Sequence, residues 1–212
     1  MDTAGNGARR GRQRDPERMR RVLEAASGQF MRQGFDKTSM DAVAQASGVS
    51  KVTIYRYFPT KEALFEACIG SRTDTVFSDL SPAELDPRDP RGALTRMAER
   101  FLALKRSDLG IGAFRTMYAA GSQQEAACRA FLRQGPEKLV AQVARYLGAA
   151  HLAGSLVIED PTRAADQFLS LFFGMADIRA MLGLGKPTAR QDRELIAQNV
   201  RLFLRAHGGD AR

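Results

Sequence analysis

The chain has no tryptophan and only two histidines, His151 and His207, which lie far apart and outside any His-Glu-x-x-His or Cys/His ligand spacing. Its two cysteines, Cys68 and Cys128, form neither a Cys-x-x-Cys pair nor a disulfide framework, the usage of a reducing compartment. No run is apolar and long enough to cross a bilayer, and the N-terminal stretch lacks the apolar segment of a signal peptide. A cytoplasmic protein with no membrane partner is expected. Also missing are a Gly-x-Ser-x-Gly elbow, a P-loop and a dinucleotide fingerprint; Gly183-Leu-Gly-Lys186 lacks the preceding strand and the spacing. With no acid-base or nucleophilic constellation to nominate, an enzyme is not expected, nor a cofactor or a metal. Sustained strand alternation is absent too, and the periodicity throughout is helical, which predicts an all-α fold.

Acidic residues are outnumbered. Lys and Arg total 32 against 24 Asp and Glu, a formal charge of +8 with pI near 10.0, and 44% of the 212 residues are hydrophobic. That is enough to bury one substantial core or two modest ones, and the charge favours a polyanionic partner. Residues 1 to 21 alone carry seven Arg against Asp2, Asp15 and Glu17, half of the net charge. Residues 1–14 are Gly- and Arg-rich with almost nothing apolar, so a disordered basic tail is expected there, able to enter a minor groove or simply to attract a polyanion.

The most informative segment is Thr38 to Lys61. Thr38 and Asp41 stand at capping-box spacing, which predicts a helix from about Ser39. Ala44 permits a close crossing and Gly48 supplies a turn. Ser50 then caps a second helix that Pro59 terminates. At 100° per residue, Ser50, Ile54, Tyr57 and Phe58 share one arc of that helix. Val52, Tyr55 and Arg56, flanked by Lys51 and Thr53, share the other. The first arc suits packing. The second offers donors for base edges and phosphates and a small apolar contact for a thymine methyl, so the pattern reads as a helix-turn-helix that binds double-stranded DNA. A nonsequence-specific architectural DNA protein is the alternative, and it leaves the outward arc without a purpose.

Ala46-Ser-Gly-Val-Ser-Lys-Val-Thr-Ile-Tyr-Arg-Tyr-Phe-Pro-Thr-Lys-Glu-Ala-Leu64 resembles the signature of the TetR/AcrR family of bacterial transcriptional repressors, over about residues 15 to 70. The resemblance implies that Thr38 and Lys61 hold backbone phosphates while Ser50, Lys51, Val52, Thr53, Tyr55, Arg56 and Tyr57 face the major groove. Many relatives carry Gly or Ala where this chain has Val52, so base preference there does not transfer. The family also implies a C-terminal domain that dimerises and binds a small effector, hence a homodimer reading a palindromic operator.

The remaining helices are marked by their starts. Asp15-Pro16, Thr60, Asp89-Pro90, Gly135-Pro136, Asp160-Pro161 and Thr188 with Gln191 all read as helix openings, and Gly34 ends the first helix. A Pro- and Asp-rich loop at Ser81 to Asp89 separates a DNA-binding domain at 15–75 from a helical effector-binding and dimerisation domain at 76–212. One helix is expected from Pro161 to about Leu182, apolar around most of its circumference, and a broad apolar helix from Ala189 to His207; both suit a dimer interface. Phe114, Met117, Tyr118, Phe131, Phe168, Phe172 and Met175 are apolar and adaptable enough to line a cavity for a small apolar or amphipathic effector, with Arg115 as its anchor. From Phe114-Arg-Thr-Met-Tyr118 through Asp160-Pro-Thr-Arg-Ala-Ala165 to Leu182-Gly183 the chain is similar to the AefR-like subgroup of that family, a likeness that names no ligand.

Overall fold

A computed structural model describes residues 15–78, 80, 81 and 83–208; the basic tail expected at 1–14 lies outside them. The described residues are helical, with a single antiparallel bridge between Leu156 and Gly208. Asp15 opens α1 (Pro16–Lys37) by accepting from the Glu17 and Arg18 amides, with Pro16 at the first position where its missing N–H costs nothing. The helical path breaks at Gly34 (φ 81°), and the turn swings Phe35 inward. Phe35 stacks on Phe30 at 5.7 Å, and both present to the edge of Phe65, at 5.4 and 5.1 Å. This aromatic triad joins α1 to α4 (Lys61–Asp74), which is capped by Thr60.

Between them lie α2 (Met40–Ser47) and α3 (Lys51–Tyr57), joined through Gly48 at φ 66°. The left-handed conformation there is one that glycine adopts without a Cβ penalty. One expectation is corrected: Ser39 caps α2, accepting from the Ala42 amide, and not Thr38. Thr38 is buried and completes α1 instead. Its amide donates to the Phe35 carbonyl and its hydroxyl to that of Gly34, so neither can serve the next helix.

Two apolar cores result. The first takes Val22, Ala26, Phe30, Val43, Ile54, Leu64 and Phe65 from the first four helices. It also takes Met117 from α6 (Asp108–Ala120) and Phe131 from α7 (Glu125–Gln134), with Phe114 against its edge. The second is built from α5 (Pro90–Arg106), α8 (Pro136–Leu152), α9 (Pro161–Ser170) and α11 (Ala189–His207), together with Val76 and Phe77 just beyond α4. Asp89, Asp160 and Thr188 cap α5, α9 and α11 as their spacing predicts, and α8 begins at Pro136.

The single helix expected from Pro161 to Leu182 is two. It stops after Ser170 and resumes as α10 (Met175–Met181). The cause comes from elsewhere in the chain: Lys105 of α5 donates to the Phe172 carbonyl and pairs with Asp177 at 2.9 Å, while Asp177 accepts from the Gly174 amide at 2.8 Å. A buried ammonium thereby claims an oxygen that a continuous helix would have used internally. Phe168 and Phe172 turn into the core, whereas Met175, Ile178 and Leu182 remain exposed.

Cys68 sits in the first core, its Sγ 3.6 Å from the Leu23 carbonyl, and burial pushes its thiol up to about 12; Cys128 is only half-buried. The thiolate is the reactive form, so at about pH 8 iodoacetamide is expected to add once to the native protein, at Cys128, and twice after denaturation. Two native adducts forming at equal rates would show that the first core opens readily.

Candidate nucleic-acid interface and ligand cavity

Helix α3 stands on the first core through Ile54, fully buried, and Phe58, whose amide closes the helix onto the Ile54 carbonyl. Anchoring that arc turns the opposite one outward. Val52 is 82% exposed and Tyr55 41%, with Lys51 and Arg56 exposed beside them. Ser50 receives the Thr53 amide at 3.3 Å and its hydroxyl lies 2.8 Å from that of Thr53, so these two hydroxyls first serve the helix start. Lys51 pairs with Asp41 of α2 at 2.8 Å, and that hydrogen bond holds its ammonium above the usual lysine range. Both side chains are exposed, so the pair is weak and easily exchanged for a phosphate. The Arg56 guanidinium lies 5.4 Å from the Tyr57 ring centroid.

The expected phosphate-holding pair divides. Lys61, at the start of α4, donates to the Asp36 carbonyl at 3.2 Å and lies 4.5 Å from the Phe35 ring centroid, half-buried but able to turn outward. Thr38 is enclosed and its hydroxyl already engaged. Its placement in this structure is that of a corner pin between α1 and α2. Lys51, Val52, Tyr55 and Arg56 are thus brought together on one face, with Ser50 and Thr53 at its N-terminal end, Tyr57 half-buried at its edge and Lys61 below.

Helix α4 links this head to the rest of the chain by polar contacts as well as by packing. Glu66 accepts from Arg133 at 2.9 Å and Gln134 at 3.0 Å, and those two donors hold its carboxyl below the ordinary carboxylate range. Asp74 pairs with Lys138 of α8 at 2.9 Å. Asp36, at the end of α1, accepts from Gln124.

A cavity of ≈ 210 Å³ opens beside α4, walled by Ile69, Arg72 and Thr73 of that helix and by residues of α5, α6, α7, α8 and α9. Of the residues expected to line a ligand cavity, Phe114 and Phe131 do so. The others lie outside this cavity, although Tyr118 lines a small neighbouring one with Phe114 and Phe173, and Arg115 a cleft beside Gly183 and Lys186. Phe168 and Phe172 pack edge-to-face within the second core at 5.3 Å, and Met117 is buried in the first. Tyr118 and Met175 are largely exposed. Arg115 donates to the Ala180 and Met181 carbonyls at the C-terminal end of α10. The lining that sequence reasoning missed is Phe101, Leu104, Lys105, Leu139, Val140, Leu169 and Phe173. One signal was available: along α5, Leu94, Met97, Ala98, Phe101 and Leu102 recur at helical spacing, and Lys105 continues that stripe where a charge has no business unless it is held.

Two family models divide the chain between them: residues 22–68 match bacterial regulatory proteins of the tetR family, and residues 92–209 match the C-terminal domain of AefR-like transcriptional repressors. The chain belongs to the TetR family. It is a DNA-binding transcriptional regulator, with an N-terminal helix-turn-helix domain and a C-terminal helical domain. Among solved structures, the flavonoid-responsive regulator FrrA is 34% identical with a TM-score of 0.71, and the likeness covers 93% of this chain and 100% of that one. A TetR-family regulator of Mesorhizobium loti superposes with a TM-score of 0.77 over 92% of this chain and 99% of its own, at 24% identity, and shows the fold alone. The transcriptional activator FasR of Mycolicibacterium smegmatis is 33% identical over 98 residues, 46% of this chain and 45% of its own. The chain spans about half or less of the length of the curated relatives it matches first. TetR-family regulators typically act as dimers. Among the described residues, no helix is long and apolar enough to cross a membrane.

Proposed function

We propose that this regulator is a repressor that grips a palindromic operator as a homodimer and lets go when a small apolar or amphipathic molecule fills the cavity beside α4. The observation that carries the reading is the double duty of that helix. Its first turn holds Lys61 at the DNA-facing end and its later turns supply Ile69, Arg72 and Thr73 to the cavity wall. A ligand that fits a different setting of α4 better than the DNA-bound one shifts the population by its differential affinity. The contacts of Glu66 with Arg133 and Gln134, and of Asp74 with Lys138, tie the moving helix to α7 and α8. On this reading residues 15–75 form the reading head and 76–212 the responding body. Lys51, Val52, Tyr55 and Arg56 contact the groove, with Ser50, Thr53 and Tyr57 flanking them and Lys61 on the phosphates.

Repression, rather than activation, is supported by the match of 92–209 to a repressor domain, and an aromatic effector by the likeness to a flavonoid-responsive regulator along nearly the whole chain. Selection from a random duplex library is expected to return a two-fold symmetric sequence with half-sites about one helical turn or a multiple apart. Compounds that raise the melting temperature are then expected to weaken binding to that sequence. Selected duplexes without symmetry, or bound compounds that leave operator affinity unchanged, would overturn the reading.

A further inference from the structure

Lys105 ends the apolar stripe of α5 in the cavity wall and is only 6% exposed. A buried ammonium survives only with partners, and here they define what else can enter. Nζ donates to the Phe172 carbonyl, lies 2.9 Å from an Asp177 oxygen, and sits 3.7 Å from the Phe173 ring centroid. An ammonium has three N–H donors. Fixed oxygens take two, and the third is left with the π-face of Phe173, a half-exposed side chain.

Charge decides the kind of acceptor that replaces the ring. Arg106, next to Lys105, lies 3.8 Å from Asp177 and forms a 3.0 Å ion pair with Asp192 of α11. Two cations and two carboxylates already cancel. The cavity lining adds one further residue of each sign, Arg72 and Asp166. A ligand carboxylate would therefore enter as an uncompensated charge in a low-dielectric site, whereas a neutral oxygen meets the spare donor without upsetting the balance. The ligand body is specified by rings. Phe101, Phe114 and Phe131 line the cavity beside Phe173, with Phe114 edge-on to Phe131 at 5.4 Å. Faces and edges so placed receive a flat aromatic body by offset stacking and edge contact.

We propose that the cavity takes a neutral, planar aromatic ligand whose carbonyl-type oxygen accepts a hydrogen bond from Lys105 Nζ, and that it rejects carboxylate analogues of the same body. The regulatory meaning of this specificity rests on the induction reading above; the binding itself does not.

The test uses three matched probes on the full chain by titration calorimetry: xanthone, xanthene, which replaces the carbonyl by a methylene, and a xanthone bearing a ring carboxylate. Xanthone is expected to bind about tenfold or more tightly than xanthene, as a hydrogen bond from a charged donor provides, and the carboxylate more weakly than xanthone. The bound xanthone carbonyl stretch is expected to fall below its value in an apolar solvent. In the double variant Lys105→Met with Asp177→Asn, which removes one charge of each sign, the xanthone–xanthene gap and the infrared shift both vanish while xanthene still binds. Equal affinity of the native protein for xanthone and xanthene, tightest binding by the carboxylate, an unshifted carbonyl stretch, or a gap that persists in the double variant would each overturn the proposal. Should that variant fail to fold, the native affinities and the carbonyl stretch still decide. Binding by none of the three rejects this ligand class, while operator release by other compounds continues to decide induction on its own.

Discussion

Arg56→Ala is expected to erase most of the preference for the selected operator while leaving affinity for a scrambled duplex nearly intact. The side chain is exposed on the arc of α3 opposite buried Ile54, its guanidinium rests near Tyr57, and among the described residues it forms no ion pair. On the proposed reading it reaches the groove without giving up a strong partner among the described residues. A base-reading contact is worth about 1–3 kcal/mol. A dimer loses it twice, so about 2–6 kcal/mol of discrimination disappears. Tyr55→Phe, which removes one hydroxyl from the same face, should act in the same sense and less strongly. Lys61→Ala supplies the contrast. Its amine lies at the start of α4 against the Asp36 carbonyl and the Phe35 ring, and on the proposed reading it turns to a phosphate and to no base. It is expected to weaken both duplexes alike and to lower the salt slope by about one unit per head. Salt titrations of the three variants on both duplexes check this. If Arg56→Ala weakened both equally and Lys61→Ala removed only the preference, α3 would have to lie in the groove with a different rotation.

The reading head was legible because its signals are local. Ser50, Pro59 and the Gly48 turn act within a few residues of themselves, and Ile54 against Val52 is a two-sided pattern that seven residues suffice to show. Helix starts at Asp15, Thr60, Asp89, Asp160 and Thr188 were legible for the same reason. The choice between Thr38 and Ser39 was not. Both hydroxyls stand at usable spacing, and what decides is that Gly34 turns the chain so that Phe35 reaches Phe30 and Phe65, which encloses Thr38 with it. The break after Ser170 was hidden for a stronger reason, since it depends on an ammonium from α5 arriving at the Phe172 carbonyl, 67 residues away in sequence. The cavity suffered likewise. Phe168 and Phe172 look as suitable as Phe114 and Phe131 by composition, and only the pairing of α9 with α8 and of α11 with α5 sends the first two into the core.

That placement also reshapes the expectation for assembly. Phe203 and Leu202 are adjacent in α11 and meet opposite fates. Phe203, 3% exposed, lies edge-on to Phe168 at 5.1 Å and beside the His207 ring at 4.5 Å. Phe172, in the segment 161–182 that with 189–207 suits a dimer interface by its sequence, is equally enclosed, so an aspartate at either site reports on folding and not on assembly. Phe203→Asp removes a large core ring and strands a carboxylate, a loss of more than about 4 kcal/mol, and a protein without a cooperative melt is expected. Leu202 is 55% exposed, seven residues from half-buried Leu195 and four from exposed Ala206 along one outer stripe of α11. An aspartate there meets water in a lone protomer and a second apolar surface in a dimer. Leu202→Asp is accordingly expected to keep the helical circular dichroism while light scattering falls from the mass of two chains toward that of one, and operator affinity falls with it because only one head remains on each particle. A native protein that scatters as a monomer would end the dimer expectation for this chain. A Leu202→Asp protein that stays dimeric and bound to its operator would place the interface on another face, and the exposed Ile178 and Leu182 on and just beyond α10 become the next positions to carry the charge.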